Sequence, residues 1–60
     1  MRVYVNDHPV ELLLGMRVRH ALVSADMLRE VEGGRKVYDD WGNEVGLDGA
    51  VFPEMKIWVK

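Results

Sequence analysis

The 60-residue chain contains no cysteine. That excludes a disulfide framework, a thiolate nucleophile and any cysteine-ligated zinc or iron–sulfur site. A chain this short lies near the lower limit at which a hydrophobic core offsets conformational entropy unaided. Its stability has to come from its 48% apolar residues or from self-association. Long apolar runs are missing as well. None exceeds that of Leu12 to Leu14, far short of the roughly 20 residues that cross a bilayer. Met1 is followed at once by strand-like residues, so no membrane partner and a cytoplasmic location are expected. There is no cationic excess: the formal charge of −2 argues against nucleic acid as a partner.

Histidine occurs only as His8 and His20, neither near a second ligand at metal-binding spacing. His8 belongs to a turn and His20 faces away from the apolar side of the only helix-like segment. Asp39, Asp40, Asn43 and Glu44 crowd four oxygen-bearing side chains into six residues, a composition that suits calcium, but their spacing is not that of a calcium-binding EF-hand loop. A polar hairpin turn accounts for them better. The chain has no Ser/His/Asp set, no phosphate-cradling glycine motif and no carboxylate pair in apolar surroundings. Catalysis is therefore not expected, and neither is a metal or other cofactor.

What the sequence does contain is one stretch with helical periodicity. Between Gly15 and Val31, the residues Val18, Ala21, Leu22, Ala25 and Leu28 recur at steps of three and four, forming one apolar stripe. Arg29 and Glu32 fall on the same face, so the stripe fails at its far end. A single helix of about three turns, bent near Ser24 to Asp26, is expected, with a break there as the alternative. Gly33 and Gly34 stop it. No Ser, Thr, Asp or Asn stands at its start, so Gly15 serves as the bend or N-cap.

Segments on either side alternate in the manner of half-buried strands. Arg2 to Asn6 sets Val3 and Val5 against Arg2, Tyr4 and Asn6. Asn6, Asp7, His8 and Pro9 supply turn residues, and Val10, Leu12 and Leu14 then oppose Glu11 and Leu13 in a second strand of an antiparallel hairpin. Arg35 to Asp39 reads as a third strand, Asp40 to Asn43 as a turn and Glu44 to Leu47 as a short fourth strand. Met55, Ile57 and Val59 alternate with Lys56, Trp58 and Lys60 in the last, with Pro53 just outside it. An α+β domain spanning residues 1–60 follows, with a mixed sheet of four or five strands packed on one helix.

This order of elements is that of a β-grasp, or ubiquitin-like, domain. Val3-Tyr4-Val5-Asn6-Asp7-His8-Pro9-Val10-Glu11-Leu12 resembles the opening hairpin of the small sulfur-carrier proteins of thiamine and molybdopterin synthesis. Gly15, Val18 and Leu22 resemble that family's approach to its helix, and Gly49 to Val59 its last turn and strand. Arg17 stands where the family usually has a capping Thr or Ser. The carriers end in Gly-Gly, whose carboxylate is adenylated and converted to a thiocarboxylate. The last residues here are Trp58-Val59-Lys60, and Gly33-Gly34 is internal, so no sulfur-carrying carboxylate is assigned.

In a β-grasp fold the first and last strands lie parallel and adjacent, which brings Tyr4 and Trp58 to the sheet face turned away from the core. Leu13 shares that phase. With Arg2, Lys56, Lys60 and Glu11 around them, they have the composition of a protein contact. Trp41, in a turn, either adds to the exposed surface or folds back over the core. The function expected from these residues is a non-catalytic module that binds a protein partner, or a second copy of itself, through the outer sheet face. The alternative implied by the resemblance is a sulfur-carrier-like or small-ligand-binding β-grasp protein.

Overall fold

A computed structural model describes all 60 residues. Strand β1 (Arg2–Val5) turns into β2 (His8–Glu11), and two short helices follow, α1 (Val18–Ser24) and α2 (Leu28–Glu32). Strands β3 (Val37–Tyr38) and β4 (Lys56–Val59) complete a four-stranded sheet of order β2-β1-β4-β3. β1 is antiparallel to β2 and parallel to β4, and β3 is antiparallel to β4. The molecule is a small α+β domain with a mixed sheet.

The core lies on one side of that sheet. Val3, Val5, Ile57 and Val59 alternate inward and pack with Val18, Ala21 and Leu22 of α1, and Met55, Val10, Leu12 and Val37 close the edges. Ala25, Met27, Leu28 and Val31 add half-buried area from α2 and the bend before it. No polar side-chain atom is buried without a partner.

The hairpin turn is tighter than the four turn residues suggest. Only Asn6 and Asp7 form it, with φ of 49° and 70°, the left-handed pair of a type I′ turn that matches the strand twist. Pro9 therefore lies within β2, paired with Tyr4. A ring without an N–H is tolerated there because β2 is an edge strand. Asn6 also takes the place of a strand residue: its Oδ1 accepts the Val59 N–H at 2.9 Å and its Nδ2 donates to the Val59 carbonyl at 3.4 Å. Its main-chain N–H still donates to the Ile57 carbonyl at 2.9 Å, and the side-chain amide carries the parallel ladder on to Val59.

The expected single helix is two. After α1, Asp26 takes φ 58°, its N–H donates to the Val23 carbonyl and the Met27 N–H donates to the Leu22 carbonyl at 2.8 Å. These are the two bonds of a Schellman motif, with aspartate in the left-handed position usually held by glycine. The same pair recurs after α2: Gly34 has φ 116°, and its N–H and that of Arg35 reach the carbonyls of Val31 and Glu30. The break resolves the failing stripe. Turning the chain at Asp26 lets Leu28 and Val31 approach the core while Arg29 and Glu32 stay exposed.

Two further expectations need correction. Leu14 does not continue the inward phase of Val10 and Leu12 but is 90% exposed. The strand ends before it, and the Met16 N–H bonds the Leu13 carbonyl across a turn containing Gly15 at φ 89°. Glu44 to Leu47 contributes no full strand: only Glu44 bridges Tyr38, and the Val45 N–H reaches the Val37 carbonyl. The segment instead leads to the start of α1, where the carbonyls of Gly49 and Leu47 accept the N–H groups of Val18 and Arg19 at 3.1 and 2.9 Å. Those bonds satisfy helix-end donors that a side-chain cap would otherwise take.

Replacing Asp26→Gly is expected to raise unfolding free energy by about 0.5–1 kcal/mol, by removing a left-handed Cβ conflict at an exposed site. Asn6→Gly, which keeps the turn but loses the amide bonds to Val59, is expected to cost about 1 kcal/mol, and Asn6→Ala more. Urea denaturation of the three variants checks both; an Asn6→Gly protein as stable as the parent would refute the amide's role.

Candidate interaction surface

The helices cover one face of the sheet, and the other carries the residues of opposite phase. Tyr4, Trp58 and Tyr38 are half-buried there. Tyr38 lies directly opposite Trp58, and Tyr4 lies opposite both Lys56 and Pro9. Trp58 is thus diagonal to Tyr4, within reach of a long side chain. The result is a row crossing all four strands: Pro9, Tyr4, Trp58 and Tyr38. Sequence reasoning missed Tyr38 and Pro9. The signal for Tyr38 is its alternation with Val37, which becomes readable as outward phase only once β3 is known to flank β4.

Polar groups hold this row in place. The Trp58 indole N–H donates to Asp40 Oδ1 at 3.2 Å, which ties the 39–43 loop to the sheet. Lys60 Nζ sits 5.7 Å from the centre of the Tyr38 ring, in range for a cation–π contact. Arg2 Nε donates to Glu11 Oε1 at 2.9 Å. The hydrogen bond to Glu11 pushes the Arg2 guanidinium further toward its charged form. Lys36 pairs with Glu44 at 3.7 Å, whereas Lys56 and Lys60 have no carboxylate within ion-pair distance. Lys56 and Lys60 thus outnumber the one carboxylate, Asp40, that meets the row without a cationic partner.

Leu13 does not join this row within one chain. It is 72% exposed, but it lies four residues beyond Pro9 along β2, while Trp58 lies two beyond Lys56 in the opposite sense. At a rise of ~3.3 Å per residue the two are about 20 Å apart along the strands. Leu13 instead neighbours Leu14 at the far end. There, Leu14 and Phe52 flank an open groove of about 320 Å³ whose floor includes Met1, Met16, Val51 and Pro53. Arg17 is the only charged side chain lining it.

The other candidates find partners of their own. Asp39 Oδ1 accepts the N–H groups of Trp41 and Asn43, both at 2.9 Å, which turns donors rather than a cation toward that oxygen. With Asp40 on Trp58 and Glu44 on Lys36, the four oxygen-bearing residues do not converge. Trp41 is 74% exposed at the loop tip rather than folded over the core. His8 is exposed on the hairpin. His20 helps to start α1, because its Nδ1 accepts the Arg17 N–H at 2.7 Å, the role that Glu or Gln plays in a capping box. No helix is long and apolar enough to cross a membrane. Comparison with protein-family models, curated proteins and solved structures finds no match to this chain.

His20→Ala is expected to lower stability by about 0.5–1 kcal/mol, and His20→Gln to preserve it, since a glutamine oxygen can accept the same N–H. Thermal melts of the two variants separate a capping role, in which they differ, from an inert surface histidine, in which they do not.

Proposed function

We propose that this chain is a β-grasp domain acting as a non-catalytic interaction module, and that it binds a protein through the outer sheet face. The strand order supports the fold reading: the first and last strands are central and parallel, with a hairpin partner on one side, β3 on the other and the helices on a single face. The functional reading is carried by the row Tyr4, Trp58 and Tyr38 with the unpaired cations Lys56 and Lys60 beside it. Aromatic side chains supply large contact area for little conformational entropy, and they dominate the energetics of protein contacts. The two free lysines set the partner's chemistry: apolar at its centre and acidic at its rim, so that charge complementarity steers the encounter.

The experiment compares the parent chain with the Tyr4→Ser, Trp58→Ser double variant as baits, followed by calorimetry on the protein retained. Each aromatic anchor is expected to contribute about 2 kcal/mol of binding, and affinity is expected to fall as salt rises. The variant should keep its circular dichroism spectrum. Equal affinity for parent and variant, or partner-induced chemical shift changes confined to α1 and α2, would refute the reading.

A further inference from the structure

β2 is an outer strand, and its backbone presents an unusual set of unpaired groups. The phase is fixed at both ends of the hairpin: a two-residue turn makes Val5 and His8 a hydrogen-bonded pair, and Met1 and Leu12 exchange both bonds at 2.7 and 2.8 Å. His8, Val10 and Leu12 therefore point their backbone groups at β1, and Pro9, Glu11 and Leu13 point theirs outward. No backbone bond within the chain uses the Pro9 carbonyl, the Glu11 N–H, the Glu11 carbonyl or the Leu13 N–H. Two outward groups are missing from that row. Pro9 has no N–H, and the Leu13 carbonyl is turned into the bond from the Met16 N–H at 3.2 Å.

These two gaps are complementary under one symmetry operation. Consider a second copy added antiparallel with Glu11 opposite Glu11, so that Pro9 of each copy faces Leu13 of the other. The two Glu11 residues exchange both bonds. Each Leu13 N–H donates to the Pro9 carbonyl opposite, and the Pro9 ring faces a carbonyl that is already bonded elsewhere. Four hydrogen bonds form and no group is orphaned. Sliding the register so that Pro9 faces Glu11 would set the ring against a free carbonyl with no donor for it. Proline on an edge strand normally hinders pairing, and here it disfavours the register slipped toward it while fitting the Glu11-centred one.

Side chains agree with the backbone. Leu13 of one copy would stand over Pro9 of the other, beside Tyr4, covering a leucine that is otherwise 72% exposed. Val10 would oppose Leu12 on the core side. Glu11 facing Glu11 is the one repulsive pair, but each carboxylate is already bonded to its own Arg2, so the four charges sum to zero. We infer that this protein self-associates as a two-fold dimer through β2, joining two sheets into one of eight strands and bringing Leu13 of the second copy to the Tyr4 end of the aromatic row. The pairing stands independently of any partner for the outer face.

With only Pro9 to Leu13 engaged, the dimer is weak, with a dissociation constant on the order of 100 µM. Sedimentation equilibrium from micromolar to millimolar chain is expected to show a monomer–dimer equilibrium. Over the same range, hydrogen exchange at the Glu11 and Leu13 amides should slow as concentration rises. A synthetic chain N-methylated at Glu11 should associate at least about tenfold more weakly, with its helical circular dichroism intact. Should that chain fail to fold, Leu13→Asp, at an exposed side chain, tests the same contact and is expected to weaken association as much. Trp58→Ser should dimerise like the parent, which separates this inference from the outer-face reading. A chain that stays monomeric at millimolar concentration overturns the proposal. So does a dimer whose Glu11 and Leu13 amides exchange freely, or a folded variant that associates like the parent.

Discussion

The parallel contact between β1 and β4 is the constraint from which the remaining structure follows. It joins residues at opposite ends of the chain, Tyr4 to Lys56 and Val5 to Ile57, and so closes a loop that contains both helices and β3. Closing a loop of that length is entropically costly, and the return is the row of Val3, Val5, Ile57 and Val59 on which Val18, Ala21 and Leu22 pack. Without it neither helix has a surface to cover, for each is too short to persist alone.

The chain meets its backbone requirements with few specialised residues. Helix α1 has no Ser, Thr, Asp or Asn at its N-cap, yet its first donors are satisfied by two carbonyls of the 47–49 segment, and His20 supplies the reciprocal bond to Arg17. Helix α1 ends on an aspartate in a glycine-like conformation. The parallel ladder continues past Val5 through the Asn6 side chain. The 47–49 carbonyls and the Asn6–Val59 bonds are brought together by the fold, whereas His20 and Asp26 act on their own local chain. The Asn6 and 47–49 contacts also link the hairpin to the final strand and the long loop to the helix, so local caps double as tertiary ties.

A sheet covered on one side has two kinds of uncommitted surface, a face and its edges, and this chain treats them differently. The face bears aromatic rings, with Asp40 bonded to the Trp58 indole and Lys60 over the Tyr38 ring. The β3 edge is partly occupied by residues 44 and 45. The β2 edge is open, but proline and the turned carbonyl of Leu13 leave it a pattern of donors and acceptors that few strands can match.

Alternation and helical spacing along the chain were enough to determine which residues face inward at Val3, Val5, Val10, Leu12, Val18, Leu22, Ile57 and Val59, because those periods follow from the geometry of single strands and helices. They also placed Tyr4 and Trp58 on the outward phase, and they located the weak point near Asp26. What they did not determine was which of two local solutions would prevail there. That depended on whether Leu28 and Val31 gained more from reaching the core than one continuous helix would gain from its extra hydrogen bonds. Nor did phase alone say which outward residues are neighbours. Leu13 shares the phase of Trp58 but lies far along the strands from it, whereas Tyr38 lies beside it, because register and strand order are set by pairings between distant parts of the chain. The assignment of Asn6 to the sheet was likewise tertiary, because its partner Val59 is distant in sequence, whereas the His20 cap on Arg17 is a local contact at capping-box spacing.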